Sequence, residues 1–224
     1  MKRLAIFDLD YTLTRKGTWG RFCAMSLRDR KHLWPEFAAK AAWMQGRYRA
    51  GHVPRIAVKT AMMGVCMVGR TRDELEGLAE EFAESEVCDG FRERAHEKLM
   101  THRNAGDTLM IASAAVDLLV GPIARRVGVS DWVATDMAWD EDGRLADHFG
   151  SPNCYGAEKM RRVSQFYGGL KQGDTFVTMY SDSSADIDLL TFADDGVAVN
   201  PGRKLRRLAP SLGLRVEDWN QPAA

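Results

Sequence analysis

Short apolar runs closed by polar punctuation set the rhythm of this chain. Leu4–Asp8 rises from Lys2 and Arg3 into an apolar stretch that ends in carboxylates. Thr108–Ser113 follows the turn signal Asn104–Asp107, Asp174–Tyr180 follows Gly173, and Gly196–Asn200 runs into Pro201-Gly202. Such runs read as strands buried on both faces. Between them, helical spacing of apolar positions predicts helices over Val116–Val127, Gly156–Tyr167, Asp186–Ala193 and Arg203–Leu208. Strands alternating with helices predict an α/β fold with a parallel sheet covered on both sides. Trp132–Trp139 followed by Asp140–Gly143 predicts a strand entering a hairpin through an Asp-Gly turn.

The stretch from Thr18 to Arg103 breaks the alternation and reads as successive helices. Breaks fall at Trp34-Pro35, Gly51–Pro54, Gly69–Thr71 and Cys88–Gly90. Thr71 and Glu74 have capping-box spacing, which starts a helix by satisfying orphan amides. Residues 15–87 are therefore expected to be an all-helical insertion after the first strand, and Phe91–Arg103 a helix returning to the sheet. Charge is uneven here: Arg15–Arg70 holds twelve Lys/Arg against two acids, and Thr71–Met100 ten acids against four Lys/Arg. Neighbouring helices with complementary faces account for this, and the sharper alternative is a basic surface for an anionic substrate.

Composition narrows the class. The chain has 224 residues, 31 basic and 31 acidic, hence no formal net charge, with 45% hydrophobic residues. At roughly 100–200 residues per domain this is one large domain or a domain with an insertion. These values exclude a disordered chain, a rod and a strongly basic polyanion binder. No apolar stretch approaches the ~20 residues of a membrane span. Asp8 and Asp10 interrupt the N-terminal apolar run, so no signal peptide is expected. Cys23, Cys66, Cys88 and Cys154 lack metal-ligand spacing and read as reduced thiols of a cytoplasmic protein.

Chemistry concentrates at the predicted strand ends. Asp8 and Asp10 end the first strand, and ligands bind at the carboxyl ends of strands in open parallel sheets. Two such carboxylates repel unless a cation compensates them or one is protonated. Ser113 ends the second strand, where its hydroxyl and the next amide suit a phosphate oxygen. Lys159 lies near a helix start, and Asp182 and Asp186 follow the third strand. Each has an ordinary structural explanation alone, but all converge on one crevice.

This ordered set resembles the haloacid dehalogenase superfamily, in its phosphoserine phosphatase-like branch. Asp8, Asp10 and Thr12 match its D-x-D-x-T motif, Ser113 and Lys159 its second and third motifs, and Asp182 and Asp186 its acidic fourth. The resemblance implies a Rossmann-like three-layer core formed by residues 1–14 and 88–224, with residues 15–87 as a helical cap. It implies Asp8 as nucleophile forming an aspartyl-phosphate and Asp10 as general acid, then base. The amides of Leu9 and Ala114, with Ser113 and Lys159, would hold the phosphoryl group. Mg2+ would sit on Asp8, the Asp10 carbonyl, Asp182 and Asp186.

The expected activity is hydrolysis of a small-molecule phosphomonoester. True phosphoserine phosphatases carry an acid just after the first motif and two glycines after the second-motif Ser. This chain has Thr14–Gly17 and Ala114-Ala115 there, which disfavours an amino-bearing substrate. Trp19, Arg21 and Arg47 in the basic, Trp-rich part of the cap are candidate substrate contacts. The alternatives are phosphotransfer to an acceptor other than water, and a basic-cap binder of nucleic acid or membrane surfaces. Neutral total charge argues against the latter, so neither nucleic acid nor membrane is an expected partner.

Overall fold

The structure is a computed structural model that describes residues 2–168 and 175–221. In chain order the elements are β1 (Lys2–Phe7), α1 (Thr18–Ser26), α2 (Trp34–Arg49), α3 (Arg55–Cys66), α4 (Arg72–Ser85), α5 (Glu93–Asn104), β2 (Thr108–Val116), α6 (Asp117–Arg126) and β3 (Asp131–Thr135). There follow β4 (Met137–Trp139), β5 (Leu145–Phe149), α7 (Ala157–Phe166), β6 (Thr175–Ser181), α8 (Ile187–Phe192), β7 (Asp195–Val199), α9 (Arg203–Leu208) and β8 (Arg215–Glu217). Asp174, where the sequence places the start of the third strand, lies outside the described residues.

The main sheet runs β3-β2-β1-β6-β7-β8, with every pairing parallel. Its central strands carry no polar face because helices cover both sides. In β1, Ala5 and Phe7 pack with Leu109, Ile111 and Val197 under α5 and α6. Leu4 and Ile6 face the other way, onto Val163 of α7 and Leu190 of α8. This two-sided burial makes the runs continuously apolar. The chain reverses direction across the sheet between β1 and β6, so the switch point lies between the ends of those strands.

Helices α1, α3 and α4 pack around Phe22, Cys23, Met63, Leu75 and Phe82, and this cluster continues onto Leu118 and Leu119 of α6. The capping box at Thr71 and Glu74 forms as the spacing predicts. Two strand expectations are corrected. Trp132–Trp139 is not one strand: it divides at Asp136 into β3, which joins the main sheet, and β4, which pairs antiparallel with β5. Arg215–Glu217 adds an edge strand that the sequence pattern did not mark. All four cysteines are free thiols. Among the described residues no helix is long and apolar enough to cross a membrane.

Candidate active site

The site grows from the end of β1. Asp8 directly follows the strand, and its amide still bonds the Tyr180 carbonyl of β6 at 2.9 Å. The chain then makes a single wide turn closed by Thr14 N–H to the Leu9 carbonyl at 3.0 Å. Tyr11 sits in the left-handed region, φ 63°, which a non-glycine residue enters only where its surroundings hold it. Arg92 supplies one hold by donating to the Tyr11 carbonyl at 3.2 Å. Asp10 Oδ1 accepts from the amide of Thr18, the first residue of α1, at 2.8 Å. Thr12 Oγ1 accepts from the Asp182 amide at 3.0 Å, which ties the first loop to the loop after β6.

Lys159 Nζ, delivered by the first turn of α7, lies 2.8 Å from Asp186 Oδ2 and 3.1 Å from Asp8 Oδ1. Ser181 Oγ donates to the same Asp186 oxygen at 2.7 Å. Burial raises the Asp8 carboxyl well above the ordinary range; Lys159 opposes this, while Asp186, Asp182 and Asp10 reinforce it. Burial and Asp186 likewise push Asp182 up to about 6. Burial alone would lower the Lys159 ammonium, but Asp186 and Asp8 outweigh it and hold it above its usual value.

Positive charge is therefore short at this point of the sheet. Asp186 Oδ1 is buried with no hydrogen-bond partner among the described residues. An all-oxygen donor set with an orphaned buried carboxylate oxygen fits a hard divalent cation. Among the described residues no three His, Cys, Asp or Glu side chains form a ligand group by themselves. Main-chain carbonyl oxygens and water would have to complete the shell.

Ser113 and Ala114 share a crevice of about 230 Å³ with Asp8, Asp10, Lys159, Asp182 and Asp186. Asp10, Tyr11, Arg55 and Ala114 also line a larger cavity, about 630 Å³, that extends between the wide turn and helices α1 to α3. Trp19 and Arg21, two of the candidate substrate contacts, line it, and the Arg21 guanidinium is bonded to buried Glu86. Arg47 does not line it: this side chain is exposed, because α2 turns Gln45 and Tyr48 to the cavity instead. The Leu9 amide donates to Asp8 Oδ1 at 2.8 Å.

Sequence reasoning missed Arg55, Lys59 and Tyr155. The Arg55 guanidinium stacks 5.0 Å from the Tyr155 ring at the junction of the two cavities. Lys59 is buried and reaches out of α3 to the end of β2. The signal available for both was a four-residue spacing of cations on one helix face.

Residues 5–191 match the haloacid dehalogenase-like hydrolase family. Histidinol-phosphatase of Neisseria meningitidis serogroup C is 25% identical over 233 residues, covering 96% of this chain and 98% of that protein. A crystal structure of a protein of unknown function from Bordetella pertussis Tohama I superposes with a TM-score of 0.87 at 28% identity, covering 98% of this chain and 99% of that one. A substrate-bound phosphoserine phosphatase superposes with a TM-score of 0.64 at 15% identity, covering 99% of this chain and 94% of that one, a likeness of fold. The chain belongs to the haloacid dehalogenase-like hydrolase family. Within it, this is a phosphoserine phosphatase-like hydrolase, and its enzyme class is phosphatase.

Proposed function

We propose that the protein is a Mg2+-dependent phosphatase that hydrolyses a small-molecule phosphomonoester through an aspartyl-phosphate on Asp8. The reading is carried by one observation: Asp8 lies at the switch point within ion-pair range of Lys159, in one crevice with Ser113, Asp182 and Asp186. Residues 1–14 and 88–224 act as the catalytic core and residues 15–87 as the cap. The larger cavity beneath the cap has room for the alcohol part of a metabolite-sized ester.

In the first step an Asp8 carboxylate oxygen attacks phosphorus and the ester P–O bond breaks. Asp10, held by the N-terminus of α1, gives its proton to the departing alkoxide. In the second step the Asp10 carboxylate takes a proton from water as that water attacks the phosphoaspartate. The P–O bond to Asp8 breaks, inorganic phosphate leaves, and both carboxyl groups are restored. Ser113, Lys159 and the amides of Leu9 and Ala114 hold the phosphoryl oxygens throughout. Asp8, the Asp10 carbonyl, Asp182 and Asp186 would hold Mg2+. When bound, the ion offsets the charge of the crowded carboxylates and of the phosphoryl group.

Release of inorganic phosphate from a panel of phosphomonoesters, with Mg2+ and with chelator, tests this. Chelator-sensitive turnover concentrated on one or two compounds is the expected result. Transfer of the phosphoryl group to an added alcohol or sugar in preference to water would overturn hydrolysis as the reaction.

A further inference from the structure

Strand β2 carries an irregularity where it meets the crevice. Ala112 pairs with Val133 and Val116 with Thr135, so four residues of β2 span two of β3. The bulge takes Ser113, Ala114 and Ala115 out of the regular ladder with β3, and the Ala114–Ala115 peptide unit bonds to side chains instead. The Ala115 amide donates to Ser113 Oγ at 3.0 Å. The Ala114 carbonyl, at the other end of the same peptide unit, accepts from Lys59 Nζ at 2.7 Å, and Thr135 Oγ1 lies 3.1 Å away. Lys59 also donates to Asn153 Oδ1 at 2.9 Å.

We propose that Lys59 is a positioning residue for the phosphate-binding hydroxyl of Ser113, acting through the Ala114–Ala115 peptide unit; this rests on reading the crevice as a phosphatase site. A serine hydroxyl has one proton and two lone pairs. The Ala115 N–H occupies a lone pair, and among the described residues no acceptor takes the Ser113 proton, so it is left for the crevice that Ser113 lines. A cation on the Ala114 carbonyl polarises the shared peptide and strengthens its N–H as a donor, which fixes the hydroxyl more firmly. The cation comes from α3, 55 residues before Ala114, so the helical insertion helps build the phosphate cradle as well as roofing the larger cavity.

The surroundings of Lys59 agree with a role that uses its charge. The side chain is 6% exposed and lies over the rings of Trp19 and Phe149. Among the described residues it has no carboxylate within ion-pair range; its nearest acceptors are the neutral carbonyl and amide oxygens already named. Burial, with Arg55 beside it, pushes the ammonium down to about 8, while Asp10, Cys154 and Cys23 act in the opposite sense. It is therefore charged at neutral pH and gives up its proton as the pH rises through 8.

A double-mutant cycle tests the proposal by binding of inorganic phosphate in the presence of Mg2+, measured by calorimetry, so no substrate need be known. Lys59→Met is expected to weaken phosphate binding roughly 10- to 100-fold, the range of a hydrogen bond made by a charged donor. Lys59→Arg should retain most of it. In a Ser113→Ala background Lys59→Met should cost little more, since the group it positions is gone. Equal losses in both backgrounds would overturn the relay and leave the phosphatase reading standing. Unchanged phosphate affinity in Ser113→Ala alone would overturn both. A wild-type comparison covers poor folding of Lys59→Met: between pH 7 and 9 the wild-type protein should lose affinity relative to Ser113→Ala. Parallel pH curves for the two would count against the relay.

Discussion

Asp8 is buried beside three other carboxylates and one lysine, and that setting decides what its replacement does. A carboxylate whose folded-state pKa is raised costs stability once the unfolded chain ionises it, so the stability lost to Asp8 grows as the pH rises from the ordinary carboxylate range up to about 8. Asp8→Asn removes the charge, keeps an oxygen that can face Lys159, and leaves the apolar contacts of β1 intact. The variant is therefore expected to melt at or above the wild-type temperature near pH 7. Phosphate release should fall on the order of a thousandfold or more, because the nucleophile is lost. Thermal unfolding and a phosphate-release assay on one purified preparation check both halves. A variant with native stability and more than a few per cent of the activity would remove Asp8 from the nucleophile's role.

β7 passes close against α8 at Gly196. A Cβ added at Gly196 would stand 2.3 Å from the Leu190 carbonyl oxygen and 2.6 Å from Leu214 Cδ2. Backbone is a poor thing to move in a packed interior, so Gly196→Ala is expected to cost about 1–3 kcal/mol. For a chain this size each kcal/mol lowers the melting temperature by about 2–4 °C, which thermal unfolding resolves. An unchanged midpoint would mean that α8 shifts without penalty. The main strands were legible in the sequence because burial on both faces writes an unbroken apolar run, as in β1 and β7. β8 was not, because an edge strand of Arg215, Val216 and Glu217 is mostly exposed and carries no such run. Trp132–Trp139 misled because its two halves have the same strand-like composition, and only their partners in space divide them at Asp136. Apart from Lys159 at the start of α7, the crevice residues stood at or just after strand ends, where the topology places them. Lys59 did not, since its contact joins α3 to a bulge in β2 and the same residue on a helix ordinarily reads as solvated.

Across the whole molecule, part of the uneven charge is absorbed internally. Arg28 pairs with Glu81, Arg70 with Asp29, and Glu80 of α4 with Arg125 and Arg126 of α6. Arg28–Glu81 joins the basic and acidic segments as complementary faces would, and Glu80 joins the helical insertion to α6. The acidic end of the switch point is different. Among the described residues, Lys159 is the one cation in ion-pair range of Asp8 and Asp186, and the raised Asp182 and the orphaned Asp186 oxygen mark a place where added positive charge stabilises the folded chain. A ligand that binds only the folded state stabilises it by about 2.7 kcal/mol at 100 times its dissociation constant. Saturating Mg2+ is therefore expected to raise the melting temperature by about 5–10 °C, given the size scaling of unfolding entropy. Chelator should reverse the shift, and Asp182→Asn should remove most of it while leaving the metal-free midpoint no lower, since that carboxyl is itself held above its ordinary range. A shift of the same size in Asp182→Asn would move the cation away from this crevice and with it the account of the acidic loop after β6.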